Sequence, residues 1–183
     1  VKRALPDMPA TSGVLDGAAF AAAVAQVAIA AGRDDTLPAL TGIRVEIHGE
    51  TVTLAATDRY RLAVRELPWK PEQSDVDATA LVPARTLNDT VKTLAAADSV
   101  ALAFTTKDGA VDGLIGFEGE GRRTTTRLID GEFPKYRSPL PNESATTATL
   151  DTAPLIDAVK RVSLVAERNT PVRLSFTASG LSM

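Results

Sequence analysis

The chain has 183 residues, of which 44% are apolar and 23% are charged, and its formal net charge at pH 7 is −3. This balance is typical of a folded domain and excludes a disordered chain, which lacks the apolar surface needed to offset the entropy of ordering. The sequence contains no cysteine and one histidine, which excludes disulfides, thiol nucleophiles and metal sites built from cysteines or paired histidines.

The first predicted elements are a short strand over residues 12–15 and a helix capped by Asp16. The helix carries apolar residues at helical spacing and has Gly32 as its expected end. Those apolar residues are Phe20, Val24, Val27 and Ala31. This apolar stretch is too short for the ~20 residues of a membrane span and follows Asp16 rather than a basic segment. We therefore expect a cytoplasmic protein with neither a membrane segment nor a leader.

Three strands are predicted next, over residues 43–47, 52–56 and 60–64. In the first of them, apolar residues alternate with Arg44, Glu46 and His48, which predicts one buried face and one wet face.

A strand over residues 78–82 precedes a second helix, which has Pro83 in its first turn and Leu87, Val91 and Leu94 on one face. Further strands are predicted near residues 100–104, 114–118 and 122–128. The pattern predicts an α+β unit with two helices and about eight strands. Because most strands are joined by hairpins, we expect antiparallel sheets with the helices on one side.

The sequence also repeats. Residues 5–33 match residues 140–168 at a shift of 135 positions, with 12 identities in 29 positions. Chance similarity between two alanine-rich helices is the alternative, but the match includes a Leu-Pro segment and the cap as well as the helix. The first copy continues well beyond the point that matches Met183, so we expect the chain to be a piece of a longer protein.

Two segments are candidate binding sites. Residues 57–62 place Arg59, Tyr60 and Arg61 at a hairpin tip; arginine and tyrosine are typical binding anchors, and the alternative is a solvated turn. Residues 130–141 contain three prolines and two aromatic residues. This segment is either a semi-rigid linker or one that Phe133 and Tyr136 dock onto a unit, leaving apolar surface for a partner peptide.

Enzymatic signatures are weak. Asp34 and Asp35, with Glu46 or Asp58, could form a carboxylate cluster for Mg²⁺, but neither a nucleophile nor a base stands at a fixed spacing from them. The glycines at 113–121 do not form a phosphate-binding motif. We expect neither a catalytic site nor a metal nor a cofactor.

Three motifs, in this order, resemble the bacterial DNA polymerase III beta subunit family, the replicative sliding clamps: residues 33–43 (RDDTLPALTGI), residues 56–64 (ATDRYRLAV) and residues 131–137 (GEFPKYR). The resemblance covers essentially the whole chain, and the run at residues 27–35 looks actinobacterial. It implies a DNA-clamp fold with antiparallel sheets outside and two helices per domain facing a DNA hole. It also implies a division into the exit of a first domain (1–11), a complete middle domain (12–130), a linker (131–145) and the start of a third domain (146–183).

The resemblance further implies a non-catalytic processivity subunit of the replicative polymerase, in which a head-to-tail homodimer encircles duplex DNA without reading its sequence. An acidic chain that binds DNA by charge would be unusual, whereas a ring holds DNA by topology. The basic residues on or after the predicted helices would then face the hole: Arg33, Arg85, Lys92, Lys160, Arg161 and Arg168.

Members of this family also capture short peptides from polymerases, the clamp loader and repair proteins in an apolar cleft between the second and third domains. The residues implied here are Leu40, Thr57, Arg59, Tyr60, Arg61, Leu62, Pro134, Arg137 and Pro139. Two departures are notable: Arg59 stands where many members have glycine, and Pro38 and Ala39 stand where many have an aromatic pair. The alternatives from other classes are a metal-dependent nuclease and a peptide-docking module unrelated to DNA.

Overall fold

A computed structural model describes residues 8–137, 144–167 and 170–183, and the chain divides into two units, Val1–Arg137 and Ser138–Met183. Pro139 and Arg168, which the sequence nominates for function, lie outside the described residues. None of the helices in the described ranges is long and apolar enough to cross a membrane.

The first unit is a large sheet with two helices packed on one face. Its elements, in chain order, are β1 (Thr11–Asp16), α1 (Gly17–Ala28), a 3₁₀ helix (Pro38–Thr41), β2 (Gly42–His48), β3 (Thr51–Thr57), β4 (Leu62–Pro68), β5 (Lys70–Pro71), β6 (Asp77–Pro83), α2 (Ala84–Thr93), β7 (Ser99–Lys107), β8 (Ala110–Gly119) and β9 (Arg122–Arg127).

The strand order across the sheet is β4-β3-β2-β6-β8-β7-β1-β5, and β9 pairs with β8. Neighbouring strands run antiparallel except β6 and β8, which meet in parallel at a single pair, Thr79 with Ala110. The α+β architecture with antiparallel strands, as predicted, is therefore confirmed.

The main core lies between the sheet and the two helices. Phe20, Val24 and Val27 of α1 and Leu87 and Val91 of α2 belong to one buried cluster with the helix-facing side chains of the strands. The helix α1 begins where the sequence predicts, because the Asp16 carboxylate accepts a hydrogen bond from the amide of Ala19 at 2.7 Å. It ends at Ala28, earlier than the predicted stop at Gly32.

The structure departs from the sequence expectations in two strands of this unit. The strand predicted over residues 60–64 begins only at Leu62, because the amides of Tyr60 and Arg61 donate to the Asp58 carboxylate and close a loop instead of joining the sheet. On the predicted wet face of β2, His48 is exposed and Arg44 is partly exposed, as expected, but Glu46 is only 7% exposed. Residues 129–137 cover it, as described below.

The second unit contains α3 (Thr152–Ser163) and a hairpin of β10 (Ser175–Thr177) and β11 (Gly180–Ser182). Each end of α3 lies 135 residues after the corresponding end of α1, so the structure repeats at the shift found in the sequence. None of the twelve residues of α3, all of which the structure describes, is buried.

Candidate functional site

The hairpin tip (residues 57–62) joins β3 to β4 and is held by side-chain hydrogen bonds. The Thr57 hydroxyl donates to the carbonyl of Arg61 at 2.7 Å. Asp58 accepts from two backbone amides at 3.1 Å and from Nε of Arg61 at 3.0 Å. Burial works against ionisation of Asp58, but these hydrogen bonds outweigh it and lower its pKa. Side-chain hydrogen bonds therefore fix the conformation of the hairpin tip.

The side chains of Arg59 and Tyr60 are exposed on the hairpin tip. Arg59 adopts a left-handed backbone conformation with φ of 80°, which favours glycine and is uncommon for a residue with a side chain. Tyr60 is 90% exposed. Exposure of a whole tyrosine ring beside an arginine gives the tip an amphipathic contact surface.

A pocket of about 410 Å³ lies beside the tip. Leu40 of the 3₁₀ helix lies at this pocket, with its carbonyl accepting from the amide of Gly32 at 2.7 Å. Four of the predicted peptide-binding residues line it together with Arg33: these are Leu40, Arg59, Tyr60 and Arg61. Arg33, predicted to face DNA, thus lies with the hairpin tip.

The linker wall (residues 129–137) packs on the face of the sheet opposite the helices. Phe133 and Tyr136 are 3% and 6% exposed, and their rings meet edge to face at 6.1 Å. They form a second apolar cluster with side chains of β3 and β6, and its partly buried rim includes Leu62: the members are Ala39, Ala55, Leu62, Leu81, Ile129, Phe133 and Tyr136. The predicted docking of this segment through its two aromatic residues is confirmed.

Glu46 anchors the linker wall electrostatically. Its carboxylate accepts from the Tyr136 hydroxyl at 2.9 Å, from Nη2 of Arg137 at 2.7 Å and from Nε of Arg44 at 2.6 Å. The Arg137 guanidinium also stacks over the Tyr136 ring, 5.4 Å from its centroid.

These contacts change the acidities of the groups involved. Burial favours the neutral acid at Glu46, but the hydrogen bonds from Arg137, Arg44 and Tyr136 outweigh it and lower the pKa. Burial and the adjacent Glu46 carboxylate raise the pKa of Tyr136 to about 12. The hydrogen bond to Glu46 raises the pKa of Arg137. At neutral pH the network consists of one carboxylate, one neutral phenol and two guanidinium groups.

The structure thus brings most of the predicted peptide-binding residues onto one unit. Leu62 belongs to the rim of the cluster, Thr57 is buried at the base of the tip, and Pro134 and Arg137 are exposed on the linker wall. Pro139 lies outside the described residues. The sequence did not single out Glu46 as an anchor; the signal available was a carboxylate in mid-strand and a Tyr-Arg pair in the linker.

Four of the predicted DNA-facing basic residues lie on helices. Arg85 and Lys92 are exposed on α2, and Lys92 pairs with Asp89 at 3.3 Å. Lys160 and Arg161 are exposed in the last turn of α3. Arg161 lines a groove of 430 Å³ within the second unit.

The acidic loop does not assemble a metal site. Asp34 accepts hydrogen bonds from the hydroxyl and the amide of Thr36, at 2.6 and 2.9 Å, which lower its pKa and tie it to its own turn. Within residues 8–137, 144–167 and 170–183, no three carboxylate, imidazole or thiol groups lie together as metal ligands would.

Comparison with known proteins decides the family. The family model described as DNA polymerase III beta subunit, central domain, matches residues 14–135, and that of the C-terminal domain matches residues 137–183. The chain belongs to the DNA polymerase III beta subunit family. The two matches follow one another along the chain.

Named relatives of this family agree. The chain is 64% identical to the beta sliding clamp of Streptomyces coelicolor over 94% of its own length and 46% of that protein, and 48% identical to that of Micrococcus luteus over 98% and 57%. The DNA polymerase sliding clamp of Bacillus subtilis has the same fold, with a TM-score of 0.85 at 22% identity over 98% of this chain and 47% of that one. The chain spans about half the length of these relatives.

Proposed function

We propose that this chain is part of a replicative sliding clamp, a non-catalytic subunit that encircles duplex DNA and tethers the replicative polymerase. The observation that carries the proposal is the pair of consecutive family matches, central domain then C-terminal domain, over nearly the whole chain. In this proposal residues 12–130 form the middle domain, residues 1–11 and 131–145 connect it to its neighbours, and residues 146–183 begin the third.

Encirclement is compatible with the charge of the chain. A protein that holds DNA through many phosphate contacts loses affinity steeply as salt rises, because each contact releases counterions. A closed ring needs few such contacts, and few contacts allow sliding. A net charge of −3 suits this mode of binding, with the exposed cations of α2 and α3 directed to the DNA: Arg85, Lys92, Lys160 and Arg161. We extend this role to Arg33 and Arg168.

The mass of the full-length protein in solution tests whether it forms a ring. In the proposal the full-length protein is a homodimer, because a head-to-tail contact that closes gives a ring by symmetry. Light scattering or native mass spectrometry of the full-length protein should give the dimer mass, with and without circular DNA. A monomer in both conditions, at concentrations well above the micromolar range, would contradict the ring.

We further propose that the hairpin tip and the linker wall bind short partner peptides. Leu62 and the cluster below it offer an apolar floor, Pro134 is an exposed apolar edge, and the arginines of the tip supply hydrogen-bond donors. The occupants in this proposal are peptides from the replicative polymerase, the clamp loader and repair proteins. Arg59, in place of the glycine of many members, adds a cation at the pocket.

Substitution of apolar residues at the proposed site should weaken peptide binding. Leu62→Ala and Pro134→Ala in the full-length protein are each expected to reduce affinity for a labelled polymerase peptide about tenfold, since each removes apolar contact at the site. Fluorescence anisotropy measures the affinity, and thermal unfolding checks the fold. Thr105→Ala is the control, because Thr105 is exposed on β7, which three strands of the sheet separate from β3. Unchanged affinity in both variants would contradict the site.

A further inference from the structure

We propose that Glu46 positions the linker wall of the peptide site, acting through Tyr136 and Arg137, so that peptide affinity depends on a carboxylate that the peptide does not touch. The inference rests on the proposed peptide binding. Glu46 is buried on the sheet face under the linker wall, whereas the exposed side chains of the site belong to the hairpin tip, Pro134 and Arg137.

The contacts of Glu46 divide it between the sheet and the linker. One carboxylate oxygen, Oε1, accepts from Arg44, the next residue but one on the same strand. The other oxygen, Oε2, accepts from both Tyr136 and Arg137. All of its bonds to the linker therefore converge on a single oxygen atom, which fixes the two consecutive linker residues in relation to β2.

Release of the linker from Glu46 would be energetically costly. A buried carboxylate that loses hydrogen-bond donors is strongly disfavoured, and the departure of the linker would remove two of the three donors to Glu46. The buried rings of Phe133 and Tyr136 hold the same segment by apolar contact. The amide of Ile129 donates to the carbonyl of Leu81 and fixes the start of the linker wall. Of the two buried rings only Tyr136 has a polar group, so Glu46 fixes the other end of the segment.

Pro134 lies between these two anchors. Phe133 precedes it and Tyr136 follows two residues later, both buried, while Pro134 itself is exposed. A wall fixed on both sides is preorganised, and a preorganised surface binds more tightly because less ordering accompanies binding. Loss of the carboxylate should leave the fold intact and loosen this segment.

The test uses the full-length protein and a fluorescein-labelled peptide from the replicative polymerase of the same organism. Glu46→Gln, which keeps the size of the side chain and removes its charge, should weaken peptide affinity about tenfold. Hydrogen exchange at the amides of residues 131–137 should accelerate, with the amides of α1 and α2 unchanged. The matched control is Glu118→Gln, which removes a carboxylate paired with Arg123 at 3.0 Å on β8 and β9 and should leave the affinity within about twofold.

A double-mutant cycle separates positioning from a general loss of stability. Tyr136→Phe removes only the hydroxyl that donates to Glu46, so it should weaken affinity by itself and add little to Glu46→Gln. Strictly additive effects, or normal affinity in Glu46→Gln while Leu62→Ala still weakens binding, would overturn the inference and leave the proposed site standing. Absence of peptide binding by the unsubstituted protein would overturn both.

Discussion

At the scale of single residues, Glu46 and Tyr136 show how one hydrogen bond couples two acidities. The Glu46 carboxylate lies 2.9 Å from the Tyr136 hydroxyl and, together with burial, raises the pKa of Tyr136 to about 12. Because the Glu46→Gln substitution removes the negative charge, the pKa of Tyr136 should fall towards the ordinary value of 10.0. Titration of ¹³C-labelled tyrosine by NMR, assigned through Tyr136→Phe, measures this change. A value that stays near 12 in Glu46→Gln would show that burial alone raises it.

The same carboxylate makes stability depend on acid. The folded-state pKa of Glu46 is lowered from the ordinary 4.5, so its stabilisation is present above that value and is lost as the pH falls through the folded-state pKa. Glu46→Gln should reduce the free energy of unfolding by about 1–3 kcal/mol at neutral pH. The difference from the unsubstituted protein should narrow below pH 4.5. Urea unfolding at neutral pH and below pH 4.5 measures the difference in the free energy of unfolding, and hydrogen exchange at β2 locates it. An equal difference at the two pH values would contradict the assignment of this stabilisation to the Glu46 carboxylate.

At the scale of elements, α1 depends on a close approach that only glycine permits. A Cβ at Gly17 would overlap the carbonyl oxygen of Ala97, and the amide of Gly17 donates to the carbonyl of Asp98 at 3.0 Å. Gly17→Ala should therefore destabilise the first unit by about 1–3 kcal/mol, although alanine is the better helix former.

Chemical denaturation of the full-length protein, with hydrogen exchange at α1 as the local probe, tests this prediction. Gly180→Ala is the matched control, because a Cβ there would meet no atom within 4 Å. Equal stability of the Gly17 and Gly180 variants would show that the chain around Ala97 moves aside at little cost.

At this scale, local sequence patterns predict some elements of the fold and miss others. The helices and most strands follow from local patterns, such as the spacing of Phe20, Val24 and Val27 and the cap at Asp16. Tyr60 carries a strand-like side chain, yet its amide donates to Asp58 and leaves the sheet. The two-residue β5 is too short to produce a periodic pattern.

The sequence predicts only part of the candidate site. The hairpin tip and the docked aromatics of the linker follow from residue types that favour binding and burial. Glu46 does not, because its partner Tyr136 lies 90 residues away and alternation along β2 predicts a wet face. Only the covering linker, a non-local contact, makes that carboxylate a buried anchor.

At the scale of the whole molecule, the repeat and the family point to the same construction. The helices α1 and α3 have equal lengths and lie 135 residues apart, and the two family matches follow each other along the chain. In the proposed ring, similar domains present helices at regular intervals and the ring closes through head-to-tail contacts. A protein that encircles DNA in this way would not need the strongly basic surface of one that binds DNA by charge.

Retention on DNA of different topology tests this central claim most directly. The full-length protein should be loaded by its clamp loader onto nicked circular DNA and then passed through a sizing column at raised salt, before and after the circle is cut. We expect the protein to stay with the circle and to leave the linear DNA, because phosphate contacts are screened while encirclement is not. Equal loss from circular and linear DNA, or equal retention on both, would contradict the account.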